Sequence, residues 1–189
     1  MAIAVIIHHS QDSSHSDRRK IDTEQGISWA DYSGMYRDGY EVCAGPHQFL
    51  DPRLVPGAMK VMTKSLDEDI RAATECGKID PVAIAAKYCH TFVNIHPFVD
   101  GNGRTCRLIL NVLLLKYAGV LVCIGEEKDD RKKYFGIAAS ASMAEASAHD
   151  DLDDLDESHR PKYYKELASF TLQHAATSLR KLTELVKTD

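Results

Sequence analysis

None of the five cysteines, Cys43, Cys76, Cys89, Cys106 and Cys123, forms a C-x-x-C pair. That removes the usual zinc and dithiol frameworks and leaves reduced thiols, as in a cytoplasmic protein. Long hydrophobic runs are also missing. The longest, Leu108–Leu115, is interrupted by Asn111 and is far too short to span a bilayer, so no membrane role is expected. Positive charge is in deficit: 23 Lys and Arg against 28 Asp and Glu give a net charge of −5, which excludes binding nucleic acid by bulk charge. The apolar start, Met1–Ile7, has no basic segment before it and makes a poor signal peptide. No internal repeat is visible. With 44% hydrophobic residues over 189 positions, what remains is one globular domain with an ordinary core.

Along the chain, residues 1–27 read as a flexible arm, because His8–Gln25 is polar and has no hydrophobic period. Between Tyr32 and Phe49 stand Gly34, Asp38, Gly39, Gly45 and Pro46, around the β-prone Tyr40–Cys43, which predicts a small hairpin. The rest reads as helix. Met59, Met62, Leu66 and Ile70 recur at helical spacing after Pro56. Asp80-Pro81 is an N-cap and first-turn pair, and that helix runs to about Asn94. Arg104–Tyr117 is apolar on nearly every side, which predicts a buried helix ended by Gly119. Further helices are predicted over about 129–146, 161–174 and 175–187. The acidic run Asp150–Glu157 reads as a solvated linker. The fold class is therefore all-α, a helical bundle with one short β-hairpin.

The chemistry concentrates between two apolar helices, in His96-Pro97-Phe98-Val99-Asp100-Gly101-Asn102-Gly103-Arg104-Thr105-Cys106-Arg107. Gly101, Asn102 and Gly103 tolerate positive φ and directly precede a helix. Their amides can therefore converge into an anion cradle at the positive end of a helix dipole. Arg104 and Arg107, at i and i+3, share one face of the first turn and can fork onto phosphate oxygens. A carboxylate beside phosphates, Asp100, calls for a cation, and Mg²⁺ held by one carboxylate plus phosphate oxygens meets that need. A neutral His96 can take a proton from a hydroxyl. Phe98 reads as the anchor that fixes the loop in the core. A metal site on His90 and His96 has no supporting ligand spacing.

This segment resembles the signature of the Fic family, H-P-F-x-D-G-N-G-R-x-x-R, at all nine specified positions. Gly34–Arg37 with Tyr40–Gly45 resembles the start of the family's flap, and the flanking helices resemble those around its motif. The resemblance implies a Fic domain over residues 28–189, with a flap at about 34–50 and the motif loop at 96–107. It implies transfer of AMP from ATP to a Ser, Thr or Tyr hydroxyl of a target protein, and of the chain itself, with release of pyrophosphate. On that basis His96 is the general base and Asp100 the Mg²⁺ (or Mn²⁺) residue. Gly101, Asn102 and Gly103 form the anion hole. Arg104 and Arg107 bind phosphate, with Arg107 at the γ-phosphate, and Ala44, Gly45 and Pro46 dock the target. Gly103 stands where the kinase-like Doc branch has lysine, which favours nucleotidyl transfer.

Two departures accompany the match. Tyr134 and Phe135 stand where an aromatic often meets the adenine, but the usual asparagine is replaced by Ser140 or Ser142. Base specificity is thus left open, and another nucleoside triphosphate or CDP-choline is an alternative donor. A non-catalytic nucleotide-binding module is the alternative of a different class. The family's inhibitory pattern, [S/T]-x-x-x-E-[G/N], is absent: Glu24 precedes Gln25 and Glu184 precedes Leu185. That argues against AMP removal as the main activity and leaves restraint to another segment or chain. The sequence is compatible with a homodimer.

Overall fold

The computed structural model describes residues 5–9, 20–21, 32–37, 40–44, 47–125, 128–148 and 161–187. Five helices dominate it: α1 Val55–Glu75, α2 Pro81–Ile95, α3 Asn102–Ala118, α4 Lys128–Ser147 and α5 Lys165–Lys187. A 3₁₀ turn, Pro52–Leu54, leads into α1. The strands are β1 Val5–His9, β2 Lys20–Ile21, β3 Tyr40–Ala44 and β4 His47–Gln48, in the antiparallel order β2-β1-β3-β4. Cys43 pairs with Gln48 and Ala44 with His47. The predicted arm over residues 1–27 is described only at β1 and β2, and the acidic run Asp150–Glu157 lies outside the described residues.

The helix boundaries follow local chemistry. Asp80 accepts the amide of Ala83 at 2.9 Å and Pro81 opens α2, so a donor is satisfied where the helix starts. Gly119 closes α3 at φ 67°, in the left-handed region that glycine enters without steric cost. Asn111 then ties the outgoing chain back. Its amide donates to Val122 O at 3.0 Å and its carbonyl accepts the Val122 amide at 2.7 Å.

The centre of the bundle is α2, which packs against α1, α3, α4 and α5. It carries Tyr88, Cys89 and Phe92 into a core shared with Val55, Met59, Leu110, Leu114, Ile137 and Phe170. Burying each such side chain contributes about 1.5–3 kcal/mol. The functional loop thus leaves the C-terminus of the most enclosed helix.

Two expectations are corrected. The C-terminal helices predicted over 161–174 and 175–187 are one 23-residue helix, α5. Ala175-Ala176 at the supposed junction is strongly helix-forming, and no glycine or proline is there to break it. Nor is α3 buried all round. It packs chiefly on α2 through Cys106, Leu110, Leu113 and Leu114, and leaves Leu108, Val112 and Leu115 at 63%, 60% and 51% exposure. Their 4-then-3 spacing makes them one bare stripe on a helix at the edge of the bundle.

Candidate active site

The loop is held by a clamp within itself. Asn102 is buried, and its side chain accepts the Phe98 amide at 3.0 Å and donates to the Phe98 carbonyl at 2.7 Å. Phe98 in turn packs on the core, near Tyr36 (5.8 Å between ring centroids) and Phe92 (6.1 Å). Thr105 adds its amide and hydroxyl to the Gly101 carbonyl, at 2.9 and 3.1 Å. Gly101 is at φ 89°, which the turn into α3 requires.

The two arginines lie over the glycines. A Cβ placed on Gly101 would stand 3.7 Å from an Nη of Arg104, and one on Gly103 would stand 3.8 Å from an Nη of Arg107. The first-turn amides of α3 lack intrahelical acceptors by construction, so unsatisfied donors and two guanidinium groups belong to the same helix start. Asp100 stands at the rim, exposed. Its Oδ1 accepts the Gly101 amide at 2.6 Å and its Oδ2 pairs with Arg104 at 2.8 Å. Both partners face water, so that ion pair is weak and easily exchanged for a ligand. Among the described residues no group of three or more His, Cys, Asp or Glu could hold a metal ion. Asp100 alone, a hard oxygen donor beside an anion cradle, suits an ion that arrives with a nucleotide's phosphates.

His96 caps α2 in the left-handed region, at φ 49° and ψ 60°. Its amide donates to Phe92 O at 3.0 Å. Its ring Nδ1 lies 3.3 Å from the Val93 carbonyl. A carbonyl can only accept, so in this contact Nδ1 is the donor. The Phe49 ring stacks on the imidazole at 3.9 Å and 21°.

The residues predicted around an adenine are placed differently. Tyr134 is buried in the core, with its hydroxyl 3.6 Å from Cys89 Sγ. Burial pushes its phenol far above the ordinary range, with the two neighbouring thiols adding to the shift. Ser142 is buried too, its hydroxyl within hydrogen-bond distance of two acceptors, Asn94 Oδ1 at 2.5 Å and Ala138 O at 2.9 Å, which share its one proton. Their polar atoms serve the helix interface, which leaves half-buried Phe135 as the aromatic closest to accessible. Of Ala44, Gly45 and Pro46, the last two lie outside the described residues, and Ala44 ends β3. His90 binds Glu145 at 2.8 Å.

Two residues of the site escaped the sequence reading as functional groups, Arg37 and Phe49. Arg37 is 1% exposed and reaches the backbone of the His96 turn. The signal available was an arginine in a turn-rich stretch, which ordinarily means a surface charge.

With this geometry established, similarity to known proteins is informative. A profile described as Fic/DOC family matches residues 14–114, more than half of the chain. The chain belongs to the Fic/DOC family. It is 39% identical over 84 residues to a Fido domain-containing protein of Dictyostelium discoideum, covering 44% of this chain and 55% of that one. It is 38% identical over 82 residues to the protein adenylyltransferase Fic of Drosophila willistoni, covering 42% of this chain and 16% of the relative. The chain therefore matches about half of the first of these and a small part of the second. A Fic domain containing signaling protein from Bacteroides thetaiotaomicron shares the fold, with a TM-score of 0.55 at 20% identity, over 79% of this chain and 53% of that structure. No helix among the described residues is long and apolar enough to cross a membrane.

Proposed function

We propose that this Fic-family chain is a protein adenylyltransferase, moving AMP from ATP to a hydroxyl side chain of a target protein. The observation that carries this is one short loop in which His96, its Nδ1 turned to the Val93 carbonyl, is followed by a glycine turn with a guanidinium group over each glycine. His96 Nε2 takes the proton of the target hydroxyl, whose oxygen bonds to the α-phosphorus as the bond to the β-phosphate oxygen breaks and pyrophosphate leaves. The amides of α3 with Arg104 and Arg107 bind the phosphates and stabilise charge on them, Arg107 at the γ-phosphate. Asp100 is the residue that would hold Mg²⁺ or Mn²⁺, which when bound neutralises phosphate charge. Ala44, Gly45 and Pro46 would dock an extended target segment through main-chain hydrogen bonds. The adenylyltransferase name of the Drosophila relatives supports the same reaction. With Tyr134 and Ser142 enclosed in the helix interface, the base contacts stay unassigned, so a donor panel of ATP, other nucleoside triphosphates and CDP-choline belongs in the test.

The experiment incubates the purified chain with α-labelled ATP and Mg²⁺, alone and with cell lysate, and follows label and an added AMP mass on protein. Label should appear with wild type and disappear with His96→Ala. Equal labelling by both, or none by either, sinks the proposal.

A further inference from the structure

We infer that Arg37 is a positioning residue for His96: its buried guanidinium fixes the left-handed turn and the Phe49 stack that aim the imidazole. This rests on the reading of His96 as the general base. The problem it addresses is geometric. The residue that closes a helix in the left-handed region is usually glycine, because a Cβ is disfavoured there. His96 adopts that conformation at φ 49°. It also follows the last turn of α2, whose carbonyls have no intrahelical donors. Something must compensate for both, or the imidazole would relax with its backbone.

Arg37 meets each requirement. Its Nε donates to the His96 carbonyl at 2.6 Å, and one Nη donates to the Ile95 carbonyl at 3.3 Å. The same Nη bonds the Leu50 carbonyl. Its main-chain amide donates to Pro97 O at 2.8 Å. Three consecutive residues of the turn, Ile95 to Pro97, are thus held by one residue that is distant in sequence. Leu50 matters because it follows Phe49, whose ring covers the imidazole. Phe49 is itself hung from β3 by its amide, which donates to Val42 O at 3.2 Å. The guanidinium therefore joins the backbone under the base to the backbone under the ring that stacks on it.

The chemistry favours arginine over other donors. Its planar fork presents several N–H groups in fixed directions, whereas a lysine ammonium is a single point on a flexible stem. The charge lies against the negative end of the α2 dipole, which favours a cation there. ATP contacts are made elsewhere, by the glycine turn and by Arg104 and Arg107 on α3. Loss of Arg37 should therefore disturb the proton-accepting geometry and spare nucleotide binding.

The test uses the full chain, its Arg37→Lys and Arg37→Met variants, and Phe49→Leu. Thermal unfolding identifies variants that fold. In those, kcat for AMP transfer should fall on the order of 10²-fold, the usual effect of misplacing a catalytic group by about 1 Å, with KM for ATP unchanged. Lysine should recover only a minor part of the loss. In ¹⁵N-histidine NMR, the His96 ring signals should move away from the Phe49 ring current while those of His90 and His174 stay in place. Wild-type kcat in both Arg37 variants, or unmoved His96 signals, overturns the inference. If wild type shows no transfer, the functional reading fails, and the histidine spectra alone decide this one. If neither Arg37 variant folds, Phe49→Leu decides through kcat, since it removes the stack and leaves the guanidinium web intact: unchanged kcat would refute the aiming role.

Discussion

Replacing Asn102 with alanine should cost the protein stability and, on the proposed function, ATP affinity. The side chain makes two hydrogen bonds to the Phe98 backbone, at 3.0 and 2.7 Å, from a position only 3% exposed. A net hydrogen bond is worth about 1 kcal/mol, and a buried group left without a partner costs about 1–3 kcal/mol more. Phe98 is half-buried, so water can reach part of what alanine abandons. A loss of about 2–4 kcal/mol follows. For a domain of this size each kcal/mol moves Tm by about 2–4 °C, so the melting temperature should fall by about 5–15 °C. Asn102→Asp separates the two bonds. It keeps an acceptor for the Phe98 amide, loses the donor to the Phe98 carbonyl, and puts a negative charge beside the anion cradle. It should melt at a similarly lowered temperature and bind ATP more weakly than the alanine variant. Calorimetric melting and ATP titration below the transition measure both quantities. A Tm within about 1 °C of wild type for Asn102→Ala would refute the idea that this clamp holds the loop.

Three further outcomes are expected. Arg107→Ala should weaken ATP binding by about 10–100-fold, the worth of a charge-assisted pair, and ADP binding less, since the γ-phosphate is the predicted partner; equal losses in titration calorimetry would contradict that assignment. Asp51 caps the 3₁₀ turn and bonds the Arg53 side chain and amide, which lowers its carboxyl from 3.8 to about 2. Its folded value is depressed, so its contribution is present above about pH 4 and lost as pH falls towards 2; a carboxyl ¹³C titration with a midpoint near 4 would show that the bond does not persist. Cys76 and Cys123 are exposed and should alkylate quickly in the folded protein. Cys106, pushed up by its contact with Cys89 and by burial, should react only on unfolding, and fast modification of Cys106 would contradict its packing.

Much of the site is legible in the sequence because its parts are local. A glycine turn, a helix start and two arginines three residues apart imply their own convergence, since backbone geometry over one turn is nearly determined by those residue types. The start of α2 is legible for the same reason, with Asp80 and Pro81 adjacent. What fails to show is any quantity set by packing across the chain. The exposure of Leu108, Val112 and Leu115 depends on α3 lying at the edge of the bundle, and the run of leucines alone does not say which side is covered. The burial of Tyr134 and Ser142 depends on where α4 meets α2, through Cys89 and Asn94.

The same distinction explains why the base is readable and its support is not. A histidine in H-P-F announces itself by its neighbours, but its conformation is a long-range property. A left-handed non-glycine residue costs about 1–3 kcal/mol and persists only when its surroundings over-determine it. Here the surroundings come from Arg37, 59 positions earlier, and from Phe49 on a separate segment. A turn-rich stretch with an arginine at its end has the composition of a solvent-facing loop. Only the fold shows that its charge is turned inward onto the carbonyls of the His96 turn. On the proposed function, the positive charge relevant to this acidic chain is thus of two kinds, with Arg104 and Arg107 over the glycine turn and Arg37 holding the backbone beneath His96.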